Sequence, residues 1–157
     1  MPRTILLVPV FEAEPVVCDL RLRFDPPAMR HIPAHVTLMF PFLPELTDDV
    51  IDRLSELFAG CSPFDFVLTH AAVFPKGVLY LVPEPGEIFL RMTNSIADAF
   101  GTVPWHGEFD DVIPHLTVAQ SVTDDSLATT FDAQLPISSI SRRTGSGPQS
   151  AHVRTRH

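Results

Sequence analysis

At 157 residues the chain has the length of one domain, and 45% hydrophobic content with 12 Phe allows a sizeable core. A formal net charge of −8 argues against broad contact with duplex DNA, whose binding rests on phosphate neutralisation by Lys and Arg, while a short or terminal phosphate ligand stays compatible with it. Cys18 and Cys61 are the only cysteines and form no CxxC, so reduced thiols in a cytoplasmic protein are expected. The apolar run near the start is too short for a signal peptide, and no stretch approaches the roughly 18 apolar residues of a membrane span.

In chain order, Thr4 to Val10 reads as a first strand. An acidic stretch, Glu12 to Glu14, leads to a helix from Pro15 to Phe24, with Pro15 suited to the first turn and Asp25-Pro26-Pro27 as its stop. The run Pro33 to Phe40 is a strand broken by Pro41. Helix Asp48 to Phe58 follows, with Val50, Ile51, Leu54, Leu57 and Phe58 at helical spacing and Gly60 as its end. Pro63 to Thr69 alternates as a strand, and Val78 to Val82 is its partner across Pro75-Lys76-Gly77. Glu87 to Phe100 repeats a helical pattern and is closed by Gly101. A loop with Trp105 and His106 leads to a strand over Pro114 to Ala119. The sequence then predicts a helix after Thr123-Asp124-Asp125 as far as Phe131, and a short strand from Pro136 to Ile140. From Arg142 onward there are four Arg, two His and no acid, a composition that predicts a disordered or altered basic tail over 142–157 behind a domain of 1–141.

Two of these strands carry one pattern. Pro33-Ala34-His35-Val36-Thr37-Leu38 and Pro114-His115-Leu116-Thr117-Val118 each place a histidine two residues before a threonine, so both polar groups point to one face of a strand. Val36, Leu38, Phe40, Leu116 and Val118 point the other way and need a covering layer. A lone strand histidine is ordinarily structural. Here, however, each copy is followed by a Thr-Asp-Asp helix start and then by a proline-led segment, which reads as a duplicated unit. Two units joined along their histidine strands would bring His35, Thr37, His115 and Thr117 into one cleft.

The segments HVTLMF and HLTVAQ resemble the paired H-x-[S/T]-x motifs of the two-histidine phosphoesterases, particularly the bacterial 2′-5′ RNA ligase-like branch. The resemblance covers roughly residues 4–140, including the hairpin Phe74 to Leu81 and the segment Phe109 to Val118. It implies a pseudo-two-fold α+β fold in which helices pack outside a central concave antiparallel sheet. It also implies chemistry on 2′,3′-cyclic phosphates or 2′-5′ phosphodiester linkages, with no cofactor and no metal. The expected partners are RNA ends or small nucleotides, and the expected state is a monomer. A last strand demanded by the symmetry is not visible in the sequence.

The residue types suit that chemistry. Opening a cyclic phosphate needs one proton removed from water and another delivered to the departing ribose oxygen, and histidine can do either near neutral pH. Thr37 and Thr117 would donate to the non-bridging oxygens. Two His beside two Thr lack the third ligand usual for catalytic zinc. A phosphate-binding module without turnover is the alternative. Phe40, Phe42, Phe74, Tyr80 and Trp105 are candidates to stack on a base, with Phe42, Tyr80 and Trp105 foremost, although Phe in such strands ordinarily belongs to the core. Lys76 and Arg30 are candidates to meet ligand phosphates, although a solvated loop cation is the ordinary reading, and His31, His70 and His106 are read as structural.

Overall fold

A computed structural model of the chain describes residues 3–62, 64–109, 111–121, 141–143 and 152–156. Strand β1 (Arg3–Pro9) is followed by a 3-10 turn (Phe11–Ala13), α1 (Glu14–Phe24), the short α2 (Pro26–Met29) and β2 (His35–Met39). Then come α3 (Asp48–Ala59), β3 (Asp65–Phe74), β4 (Val78–Glu84) and α4 (Glu87–Phe100). A 3-10 turn (Pro104–Gly107), β5 (Leu116–Ala119), β6 (Ser141–Arg143) and β7 (His152–Arg156) complete the order. Among the described residues no helix is long and apolar enough to cross a membrane.

Local chemistry sets the helix ends. Pro15 occupies the first turn of α1, and Asp25 is driven into an extended conformation by the following Pro26, which ends the helix. Thr47 caps α3 by accepting the Val50 N–H at 3.3 Å, with Asp48 and Asp49 at the positive end of the helix dipole. Helix α4 closes on Gly101 at φ 65°, a left-handed conformation in which a side chain would be strained.

The seven strands among the described residues form one antiparallel sheet in the order β6-β3-β4-β5-β2-β1-β7. The two histidine strands lie side by side at its centre. One half of the chain runs β1-α1-β2-α3-β3 and the other begins β4-α4-β5. The closing strand of the first half, β3, pairs with β4, the opening strand of the second. In the same way β7 pairs with β1, so it occupies the symmetry-related place of β3. Of the segment expected to be a disordered or altered basic tail, 142–143 belong to β6 and 152–156 form β7. Composition misled because an edge strand is held by backbone hydrogen bonds to one neighbour, and charged residues are tolerated, even useful, on such an edge. The predicted helix to Phe131 and strand Pro136 to Ile140 fall outside the described residues.

The main core lies on one face of the sheet, and Ile5, Leu7 and Ile32 form a smaller buried cluster apart from it. Val36, Leu38, Leu116 and Val118 are at most 1% exposed and join Leu79 and Leu81 of β4 in a cluster with Val17 of α1, Leu54 of α3 and Phe89, Met92 and Ile96 of α4. Thr93 of α4 donates to the Leu38 carbonyl at 2.8 Å, which ties the helix to β2. Phe64 and Phe66 each meet Phe89 edge to face, adding to the burial of their area. Strand β3 runs five residues past its expected end, through a register shift between Leu68 and Ala71 that the broken alternation of His70-Ala71-Ala72 conceals.

Candidate active site

With the apolar positions of β2 and β5 turned into the core, the intervening residues face away from the helices. His35, Thr37, His115 and Thr117 are all half-buried. Val36 lies opposite Leu116 in the antiparallel register. Extending that register by one residue each way sets His35 opposite Thr117 and Thr37 opposite His115. Each histidine thus faces the other's threonine, and the two imidazoles stand on the diagonal, about 7–8 Å apart at the backbone.

The two rings are held alike. His35 Nδ1–H donates to the Pro33 carbonyl at 2.8 Å, and His115 Nδ1–H to the Ile113 carbonyl at 2.7 Å. A carbonyl can only accept, so each Nδ1 carries the proton. A proline in each copy, Pro33 and Pro114, stiffens the approach to the histidine.

Aromatic rings enclose His115. Phe74 lies 5.0 Å away at 84°, Tyr80 5.6 Å away at 68°, and Trp105 6.2 Å away. Tyr80 is directly opposite Thr117 across the strand pair and stacks on Phe74 at 4.0 Å. Burial pushes the pKa of His115 below its usual value, partly opposed by the hydrogen bond to the Ile113 carbonyl, which favours the cation. Burial also pushes the Tyr80 phenol up, so it stays protonated.

Beside this group is a cavity of about 430 Å³, with His115 and Thr117 at its base and Phe74, Trp105, Phe109 and Ile113 among its walls. Phe109 and Ile113 are each 47% exposed, forming an apolar lip. Lys76 at the rim bonds Glu108 at 3.1 Å. His35 and Thr37 are on the same sheet face but do not line the cavity. The Trp105 loop is anchored by its own backbone, the Trp105 N–H donating to the Phe40 carbonyl at 2.6 Å. Trp105 and His106 both adopt positive φ, 48° and 54°, a strained conformation for residues with a side chain.

The stacking candidates therefore separate. Trp105 lines the cavity, and Tyr80, 8% exposed, supports His115. Phe42 is corrected: it is 6% exposed and packs edge to face on Phe100 at 5.1 Å, inside the core. Phe40 packs beside Ile5, Leu7 and Ile32. Arg30, His31, His70 and His106 are exposed. Among the described residues no three His, Cys, Asp or Glu side chains gather as a metal ion would require.

A buried ionic group escaped the sequence reading. Arg21 and Asp25 are 2% and 1% exposed and form a salt bridge at 3.0 Å. Arg21 also meets Glu14 at 3.4 Å and the Ile32 carbonyl at 3.1 Å, while Gln120 donates to Asp25 at 2.9 Å. The i, i+4 spacing of Arg21 and Asp25 was the one available signal, since the other partners are remote in sequence.

The sheet thus carries helices on one face and the paired His-x-Thr strands on the other. The profile of the 2'-5' RNA ligase superfamily matches residues 9–140, and the chain belongs to that family. It is 30% identical over 128 residues to a Bacillus pumilus (strain SAFR-032) protein named "Putative phosphoesterase", covering 77% of this chain and 71% of the relative. Its fold is similar to that of E. coli LigT in apo form, with TM-score 0.54, 16% identity, and 99% and 92% of the two chains covered. E. coli LigT complexed with 3'-AMP gives TM-score 0.53 at 20% identity, covering 79% and 76%.

Proposed function

We propose that this protein is a metal-independent phosphoesterase acting on 2′,3′-cyclic phosphate or 2′-5′ phosphodiester linkages of nucleotides or RNA ends. The observation that carries the reading is the matched pair of histidines, each with Nδ1–H engaged by a backbone carbonyl two residues upstream. That bond fixes the tautomer of each ring, and the β2–β5 register puts both rings on one sheet face, where a phosphate between them could meet a base on one side and an acid on the other.

In the hydrolytic direction His115, kept neutral by burial, takes the proton from the attacking water. His35 delivers a proton to the departing ribose oxygen as the P–O bond breaks. Thr37 and Thr117 donate to the non-bridging oxygens, with most effect where charge accumulates in the transition state. Trp105 and Phe109, on the cavity wall, give a nucleobase a stacking surface. The structure of LigT with 3'-AMP supports a nucleoside phosphate as the ligand class.

The test is turnover of 2′,3′-cyclic AMP with and without EDTA. Hydrolysis that chelator leaves unchanged supports the reading. Phosphate binding without turnover identifies a non-catalytic nucleotide-binding module, and activity lost to chelator and restored by zinc identifies a metalloenzyme.

A further inference from the structure

The segment Ile32-Pro33-Ala34 immediately precedes His35, and every peptide group in it that can be gripped is gripped. Arg21 donates to the Ile32 carbonyl at 3.1 Å, His35 Nδ1–H to the Pro33 carbonyl at 2.8 Å, and the Val10 N–H to the Ala34 carbonyl at 2.7 Å. The Ala34 N–H in turn donates to Glu14 Oε1. Two of these four bonds come from the Glu14–Arg21 pair on α1. The carbonyl that fixes the His35 tautomer thus lies between two points fastened to one helix.

The same helix reaches the second histidine strand. Asp25, bonded to Arg21 through both Nε at 3.1 Å and a terminal nitrogen at 3.0 Å, accepts from Gln120 Nε2 at 2.9 Å. The Gln120 N–H donates to the Phe24 carbonyl at 2.9 Å. Gln120 directly follows β5 and contributes to the cavity beside His115. One buried guanidinium therefore joins the approach to His35 with the exit from β5. Burying the Arg21 cation and the Asp25 carboxylate for packing alone is a poor route to stability, because apolar residues of equal volume serve as well or better.

We infer that Glu14, Arg21 and Asp25 are positioning residues that hold His35 in its reactive tautomer and orientation and set β5 against it. The inference rests on the acid-base reading of His35. Catalysis by placed groups is sensitive to such support, since misplacement by about 1 Å can cost on the order of 100-fold in rate.

The experiment is E14Q, which keeps size and removes charge from the residue that holds the Ala34 amide. The expected result is a kcat on 2′,3′-cyclic AMP lowered about 10- to 100-fold with KM changed less than about twofold. Nitrogen-15 NMR of the imidazoles should show His35 leaving the single Nδ1–H tautomer while His115 keeps it. The core truncation L54A is the control, lowering melting temperature but leaving kcat and both histidine signals in place. Unchanged kcat and unchanged His35 signals in E14Q overturn the inference, and so does a kcat loss with His35 undisturbed. Hydrogen exchange of the wild-type protein needs no variant: the Ala34 amide should be as protected as the β2 ladder, and exchange at an exposed-loop rate overturns the claim. Because the NMR and exchange readouts require no turnover, an inactive wild type would sink the acid-base reading without deciding this one.

Discussion

Replacing His35 or His115 with Ala should lower kcat on a 2′,3′-cyclic nucleotide by at least ~10², the scale of a lost acid-base group, and steady-state kinetics reads this directly. Thr117→Val should cost less, about 1–3 kcal/mol in kcat/KM, the value of a hydrogen bond to a charged group. The pH dependence follows from burial of His115, which lowers its pKa below the usual 6.5. In the proposed role of base His115 must be neutral, so the acidic limb of kcat/KM should fall below pH 6.5, within a bell whose limbs are macroscopic values of the pair. The same shift acts on folding. The unfolded chain takes up the His115 proton at higher pH than the folded one, so the stability contribution is complete above about pH 6.5 and is lost as pH falls through the lowered folded value. Melting temperature between pH 8 and 5 should therefore decline less in His115→Phe than in the wild type. These residues were legible in the sequence because one short pattern occurs twice with the same surroundings. The rings around His115 were not. Phe74 and Tyr80 come from the two strands of a hairpin and Trp105 from a remote loop, and they meet at one imidazole only in the folded sheet.

Among the elements, α3 and α4 were the most readable, with an apolar face at helical spacing and a defined cap at one end, and α4 has the very bounds its pattern predicts. Helix α1 is different in kind. It holds its place partly through Arg21, whose partners lie 4, 7 and 11 residues away, and through Asp25, which reaches Gln120 95 residues on. No local periodicity encodes such a group. Its energetic weight is testable: Arg21→Ala leaves Asp25 buried at 1% exposure without its cation and should cost about 3–5 kcal/mol. For a domain of this size that corresponds to a fall in melting temperature of roughly 6–20 °C, measurable by calorimetry or circular dichroism. A change under 2 °C would mean that water or a neighbouring group compensates the carboxylate.

At the level of the whole molecule, the duplication visible in the sequence becomes a sheet in which the halves exchange their closing strands. The part that composition hid is β7, because a basic segment with few apolar residues gives no signal for a strand whose anchorage is a backbone ladder. Truncation after Arg143 removes the partner of Arg3–Leu7 and should lower the melting temperature by several degrees, with loss of antiparallel signal in the infrared amide band. An unchanged melting curve would show that this ladder contributes nothing to stability.

The exchange of strands also has a consequence in time. Arg3 pairs with Arg156, so on the ribosome β1 emerges on the order of ten seconds before the strand that covers its outer edge exists. Throughout that interval the first half carries an unfilled edge next to Ile5, Leu6 and Leu7, all buried in the finished protein. The nascent chain is consequently most open to wrong strand pairing at β1, and a holding chaperone would be most useful to it there.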